Sequence, residues 1–194
     1  MRNRWSGYAY PLGLALLGSA ICAMPLSAQE AAHVHGEALL TVAVDGAKIE
    51  LELDIPTDSL WGFEYTAKTA EEKRRVAAVK KQLEASISVV RWPAAAACEQ
   101  RSVSWQQQQE LAHDHHHEHE HAKHDEAAHA ADDEHQNALI TYQFTCANME
   151  QLKNIDVTLF DNFSALQRLR VQWVDSQRQL EKQLNPQLKS FSLD

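Results

Sequence analysis

The 194-residue chain has no Gly-x-Ser-x-Gly elbow and no glycine-rich phosphate loop, so the signatures of serine hydrolases and of phosphate-loop nucleotide enzymes are absent. Positive charge is in short supply: 18 Lys and Arg stand against 27 Asp and Glu, a formal net charge of −9 with histidines neutral. That balance argues against nucleic acid or an anionic membrane as a partner, because both attract basic surfaces, and it suits the binding of cations. Histidine is confined to two places. Outside His33, His35 and one run from His113 to His135 there is none. A catalytic metal site takes about three fixed protein ligands, and here a third imidazole would have to come from the run, a poor foundation for fixed geometry. An amidohydrolase barrel, which also opens on His-x-His, needs about 250 residues. A binding protein is therefore expected rather than an enzyme.

No apolar stretch reaches the about 20 residues of a membrane span, since Ser19, Pro25 and Ser27 interrupt the longest one. What precedes them has the order of a secretory signal: Arg2 and Arg4, then the apolar run from Leu12 to Met24, then Leu26-Ser27-Ala28, with no acidic residue before Glu30. Cleavage is expected after Ala28. Cys22 goes with the discarded peptide, because Ile21 is bulky where a small residue precedes a lipidated cysteine. Residues 29–194 then form a single domain of 166 residues in the periplasm, free of the membrane, whose formal charge without the two arginines is −11. Cys98 and Cys146 remain, and in an oxidising compartment such thiols pair. The expected disulfide closes a loop around the histidine run and contributes on the order of 3–4 kcal/mol. The competing use, a Cys-plus-His metal site, lacks a short Cys-x-x-Cys pair.

Leu40–Val44 and Lys48–Ile55 flank Asp45-Gly46, and the second segment alternates strictly, which predicts a β-hairpin. Ile49, Leu51, Leu53 and Ile55 are assigned to the core, Lys48, Glu50, Glu52 and Asp54 to water. Thr69-Ala-Glu-Glu72 has capping-box spacing, and Val76, Val79 and Leu83 recur at helical intervals, predicting a surface helix over about Ala70–Ala85. Further strands are expected at Ile87–Val90, Leu139–Thr145, Ile155–Phe160, Leu169–Val174 and Leu188–Leu193, although Leu166–Leu184 also contains good helix formers. The sum is an α+β domain: a mainly antiparallel sheet or sandwich of roughly seven strands with one principal helix. A disordered histidine-rich insertion at about residues 107–136 interrupts it. Trp61, Phe63 and Tyr65 read either as core or as an exposed aromatic patch.

Residues 113–135 hold nine histidines, His113, His115, His116, His117, His119, His121, His124, His129 and His135, together with eight carboxylates. Alanine is the only apolar side chain among them, so ordering costs about 1–2 kcal/mol per residue with no hydrophobic return. Imidazole is a borderline ligand matched to Zn²⁺, with Ni²⁺ and Cu²⁺ as alternatives, and the carboxylates concentrate cations. Nine imidazoles offer many ligand sets, which predicts several exchangeable ions rather than one caged ion. A pH sensor or a plain spacer accounts less well for such a composition. The alternatives are a nickel or copper buffer, a metal-dependent sensor, or a small metalloenzyme in which carboxylates take the place of the third imidazole. His33-Val34-His35 puts two further imidazoles on one side of an extended segment.

His33-Val34-His35-Gly36, Gly62-Phe63-Glu64, Cys98 before the histidine insertion and Phe144-Thr145-Cys146 after it, in that order, resemble the ZrgA-like periplasmic zinc-binding proteins. The resemblance spans most of the chain beyond the signal. It implies a zinc binder that assists a high-affinity zinc importer, with the importer's periplasmic binding protein as partner. Tyr65 stands where that family often carries a histidine after Gly-Phe-Glu, and Glu64 then reads as a polar surface residue.

Overall fold

The computed structural model describes residues 34–109 and 136–193. The expected signal, His33 and the whole run from His113 to His135 lie outside the described residues. Strands β1 (Glu37–Asp45) and β2 (Lys48–Pro56) form the expected hairpin, with Gly46 at φ 57° in the turn. Ile49, Leu51, Leu53 and Ile55 are all essentially inaccessible to solvent, as the alternation requires. Burying each such side chain is worth about 1.5–3 kcal/mol.

The chain continues through a short helix α1 (Thr57–Trp61), the principal helix α2 (Ala70–Leu83), β3 (Val90–Arg91), β4 (Cys98–Gln109) and β5 (Gln136–Cys146). It ends with β6 (Asn154–Val157), a single turn α3 (Leu159–Asn162), β7 (Arg168–Val174), β8 (Gln179–Leu184) and β9 (Ser190–Ser192). Six strands make one sheet in the order β4-β5-β2-β1-β7-β8; β3, β6 and β9 make a small second one. All the pairings are antiparallel except that of β1 with β7. The mainly antiparallel α+β class with one principal helix is as expected. The inner face of the large sheet joins Leu83, Ile155, Leu159 and Leu166 in one buried cluster. Within it, the Tyr142 hydroxyl donates to the Leu83 carbonyl at 2.6 Å, fastening the end of α2 to the sheet, and burial pushes its pKa up.

Several local expectations are corrected. Ile87 lies in a tight turn over Ser86–Ser88, held where the Ser86 amide donates to Gln100 and the Ser88 hydroxyl donates to the Gln82 carbonyl; only Val90–Arg91 pairs as a strand. The segment Ile155–Phe160 is a strand only to Val157, after which α3 begins. The helix formers of Leu166–Leu184 are in β7 and β8. The insertion is also narrower than residues 107–136, because the β4–β5 ladder runs on to the pair Gln109 and Gln136.

Cys98 and Cys146 are disulfide-bonded, and they are direct register partners. The bond lies at the opposite end of the β4–β5 ladder from the insertion, a span of roughly 35 Å at the rise of a β-strand. What holds the ends of the insertion together is therefore the ladder, and the bond locks its far end.

Candidate metal centre

The hairpin has a consequence for the residues just outside it. Leu39 pairs with Asp54, and equal steps outward along both strands bring His35 opposite Asp58. His35 sits in a turn in which the Glu37 amide donates to the Val34 carbonyl at 3.0 Å. Gly36 follows at φ 75°, and its carbonyl accepts from the amides of Gln167 and Arg168 at the start of β7. A Cβ on Gly36 would stand 3.0 Å from the Ala165 carbonyl oxygen, so the close approach and the positive φ both call for glycine. Glu37 forms an ion pair with Arg168 beside this junction.

Asp58 is in the first turn of α1, where a carboxylate meets the positive end of the peptide dipoles. Its Oδ1 accepts from the Ser59 hydroxyl at 3.1 Å, and its Oδ2 lies 3.8 Å from His35 Nε2. α1 ends at Gly62, at φ 88°, whose amide donates to the Asp58 carbonyl. The chain then turns back, the buried Thr57 hydroxyl holding the Phe63 carbonyl at 3.0 Å, and Glu64 Oε2 arrives 3.3 Å from His35 Nε2.

One ligand atom from each of His35, Asp58 and Glu64 thus lies within 4.8 Å of the others. Ligand arms of about 2.0–2.2 Å around tetrahedral Zn²⁺ place neighbouring donors roughly 3.3–3.6 Å apart. The His35–Glu64 separation already matches, and a small rotation of Asp58 brings in the third donor. Two carboxylates balance the charge of a divalent ion, and the mixed nitrogen and oxygen set suits Zn²⁺. The carboxylates are recessed, with side chains 25% and 16% exposed, whereas the imidazole is 63% exposed. A three-donor set of this kind leaves a coordination position open on the solvent side.

Of the histidines marked in the sequence, the structure brings His35 into this cluster. His33 and the nine of the run lie outside the described residues. Asp58 was not foreseen, though hairpin arithmetic was a signal that could have found it. Glu64 is corrected from a polar surface residue to a member of the cluster. The run also carries one His-Glu-x-x-His spacing, His117 to His121; that signature binds metal on a helix, and these residues lie outside the described ones. Trp61 and Phe63 are buried, and Tyr65, 44% exposed, stacks on Phe63 with centroids 4.8 Å apart. The Tyr65 hydroxyl donates to Glu72 Oε1 at 2.9 Å, which ties Tyr65 to α2.

Glu72 completes the capping box of α2, accepting on Oε2 from the amides of Lys68 and Thr69, both at 2.8 Å. These amides, with the Tyr65 hydroxyl, hold its carboxyl down to about 2. Asp175, at the other end of the sheet, is likewise lowered to about 2 by the Trp173 indole and the amides of Gln177 and Arg178. Both values lie below the ordinary 4.5 and 3.8, so the stability these groups contribute is complete above that range and is lost only as pH falls toward 2. Free imidazole protonates near pH 6.5. Lowering the pH from 7.5 to 5 should therefore release bound zinc while the near-ultraviolet circular dichroism of the folded protein stays unchanged. Loss of that signal together with the metal would show that the fold itself depends on the ion.

The β-rich domain thus carries an exposed imidazole beside two recessed carboxylates, a set that could hold a cation. The ZrgA model, described as a family of zinc uptake proteins, matches residues 32–193, and the chain belongs to that family. Comparison with curated proteins returned no match.

Proposed function

We propose that the protein is a non-catalytic periplasmic zinc scavenger and carrier. The run from His113 to His135 captures Zn²⁺, the His35–Asp58–Glu64 cluster holds one ion, with His33 as a further donor, and the metal passes to the zinc-binding protein of an importer. The observation that carries this reading is where the sheet gathers its ends. β2 pairs with β5 as far as Pro56 and Asn137, so the end of β4, the start of β5, the start of β1 and α1 all meet at one edge. There the Gln136 side chain donates to the Thr66 hydroxyl at 3.4 Å, two residues from Glu64. Both ends of the histidine segment thus leave the fold beside the cluster.

The open, solvent-facing imidazole favours ligand exchange over retention, and the oxygen-rich donor set favours Zn²⁺ over the softer Cu⁺. A cavity of about 580 Å³, whose lining includes Asp45, Lys48, Glu50, Arg101 and Asp175, lies at the opposite end of the sheet from the cluster. The test is transfer. The zinc-loaded full chain should deliver metal to the apo form of an importer's periplasmic zinc-binding protein, followed by the acceptor's fluorescence. Glu64→Gln should slow delivery about tenfold, by analogy with the loss of a metal-site contact. Equal rates for Glu64→Gln and the unaltered protein would remove the cluster from the route.

A further inference from the structure

We infer that Glu72 and Tyr65 are positioning residues for the His35–Asp58–Glu64 centre, making the N-terminal cap of α2 the brace of the loop that carries Glu64. The inference rests on the reading of that centre as a zinc site.

Glu64 is on the segment between α1 and α2, where the Thr57 hydroxyl donates to the carbonyl of the adjacent Phe63. On the far side the segment is tied down by one carboxylate. Glu72 uses Oε1 for the Tyr65 hydroxyl and Oε2 for the amides of Lys68 and Thr69, so a single side chain fixes residues 65, 68 and 69 together. Tyr65 adds a second hold by stacking on buried Phe63, and Lys68 Nζ lies 5.9 Å from its ring centre. Arg75, one helical turn further on, donates to the Trp61 carbonyl at 3.4 Å, so α2 also grips the end of α1, the helix bearing Asp58. Both carboxylates of the centre are thus located by contacts that end on α2. Groups that orient metal ligands in this way typically change affinity by about 10–100-fold when removed.

The two oxygens of Glu72 do different jobs, and this makes the inference testable. Glu72→Leu can accept at neither end and so loses both ties, while Tyr65→Phe keeps the ring stack and loses only the hydroxyl. Thr69→Ala is the control. It removes the threonine side of the capping box, the Glu72 amide donating to Thr69 Oγ1 at 3.2 Å, and leaves the tie between Tyr65 and Glu72 in place.

The readout is the backbone amide resonances of residues 57–66 in the full-length protein, titrated with Zn²⁺ at free concentrations set by a chelator. Buffering makes the midpoint independent of metal taken up by the histidine run. The expected result is a zinc-dependent shift in the unaltered protein, a midpoint raised about tenfold in Tyr65→Phe and Glu72→Leu, and a midpoint within about twofold of the original in Thr69→Ala. Unchanged midpoints in all three variants would overturn the inference while leaving the zinc centre standing. An equal rise in all three would overturn it too, by assigning the effect to general loosening of the helix cap. Absence of any shift in the unaltered protein would overturn the zinc centre itself.

Discussion

Deleting residues 113–135 should lower the zinc bound per chain by about two to four ions and leave one. Four-coordinate Zn²⁺ has nine imidazoles and eight carboxylates to choose from in that segment, which sets the size of the loss. The remaining ion belongs to His35, Asp58 and Glu64, whose positions depend on the hairpin, α1 and the α2 cap rather than on the run. The deletion is structurally mild. It leaves residues 110–112 to connect Gln109 with Gln136, and three-residue connections between antiparallel strands are common. Titration calorimetry and metal analysis of the untagged protein would measure the change. Equal stoichiometry before and after deletion would refute the run as the main site of capture. Complete loss of binding would instead refute the separate centre.

The second large effect is on stability. Replacing Cys98 and Cys146 together by alanine should lower the unfolding free energy by about 4 kcal/mol, the loop-entropy value for the sequence separation of 48. For a chain of this size that corresponds to a fall of roughly 8–16 °C in Tm. Zinc stoichiometry should not change, because the bond is at the end of the β4–β5 ladder away from both the insertion and the centre. A variant that stayed within about 1 kcal/mol of the original would show that the reduced unfolded chain retains enough structure to cancel most of that gain in freedom. One that lost zinc without unfolding would place the bond in the metal route.

The parts of the fold legible in the sequence are those set by neighbours in the chain. Ile49 to Ile55 alternate because one face of β2 is buried, and Thr69 and Glu72 announce α2 because a cap is satisfied locally. β4 escaped notice for the opposite reason. It is an edge strand reading Cys-Glu-Gln-Arg-Ser-Val-Ser-Trp-Gln-Gln-Gln-Gln, in which Cys98, Val103 and Trp105 pack against the core without a strict alternation. The parallel pairing of β1 with β7 joins residues about 130 apart in sequence, and nothing local in either strand names the other. The same division holds at the metal centre. His35 was visible as half of a His-x-His pair, whereas Glu64 becomes a donor only because Gly62, Thr57 and Glu72 fold its loop back, and single carboxylates carry no spacing of their own.

The β4–β5 ladder closes at Gln109 and Gln136, so a change in the length of the connection between them enters the folding free energy through the entropy of loop closure. That term grows slowly, with each doubling of a flexible loop costing about 0.6 kcal/mol. The number of histidines carried there is therefore nearly independent of whether the domain folds. On the function proposed above, the capacity of the run can be enlarged or trimmed by insertion and deletion while the His35–Asp58–Glu64 cluster stays the same.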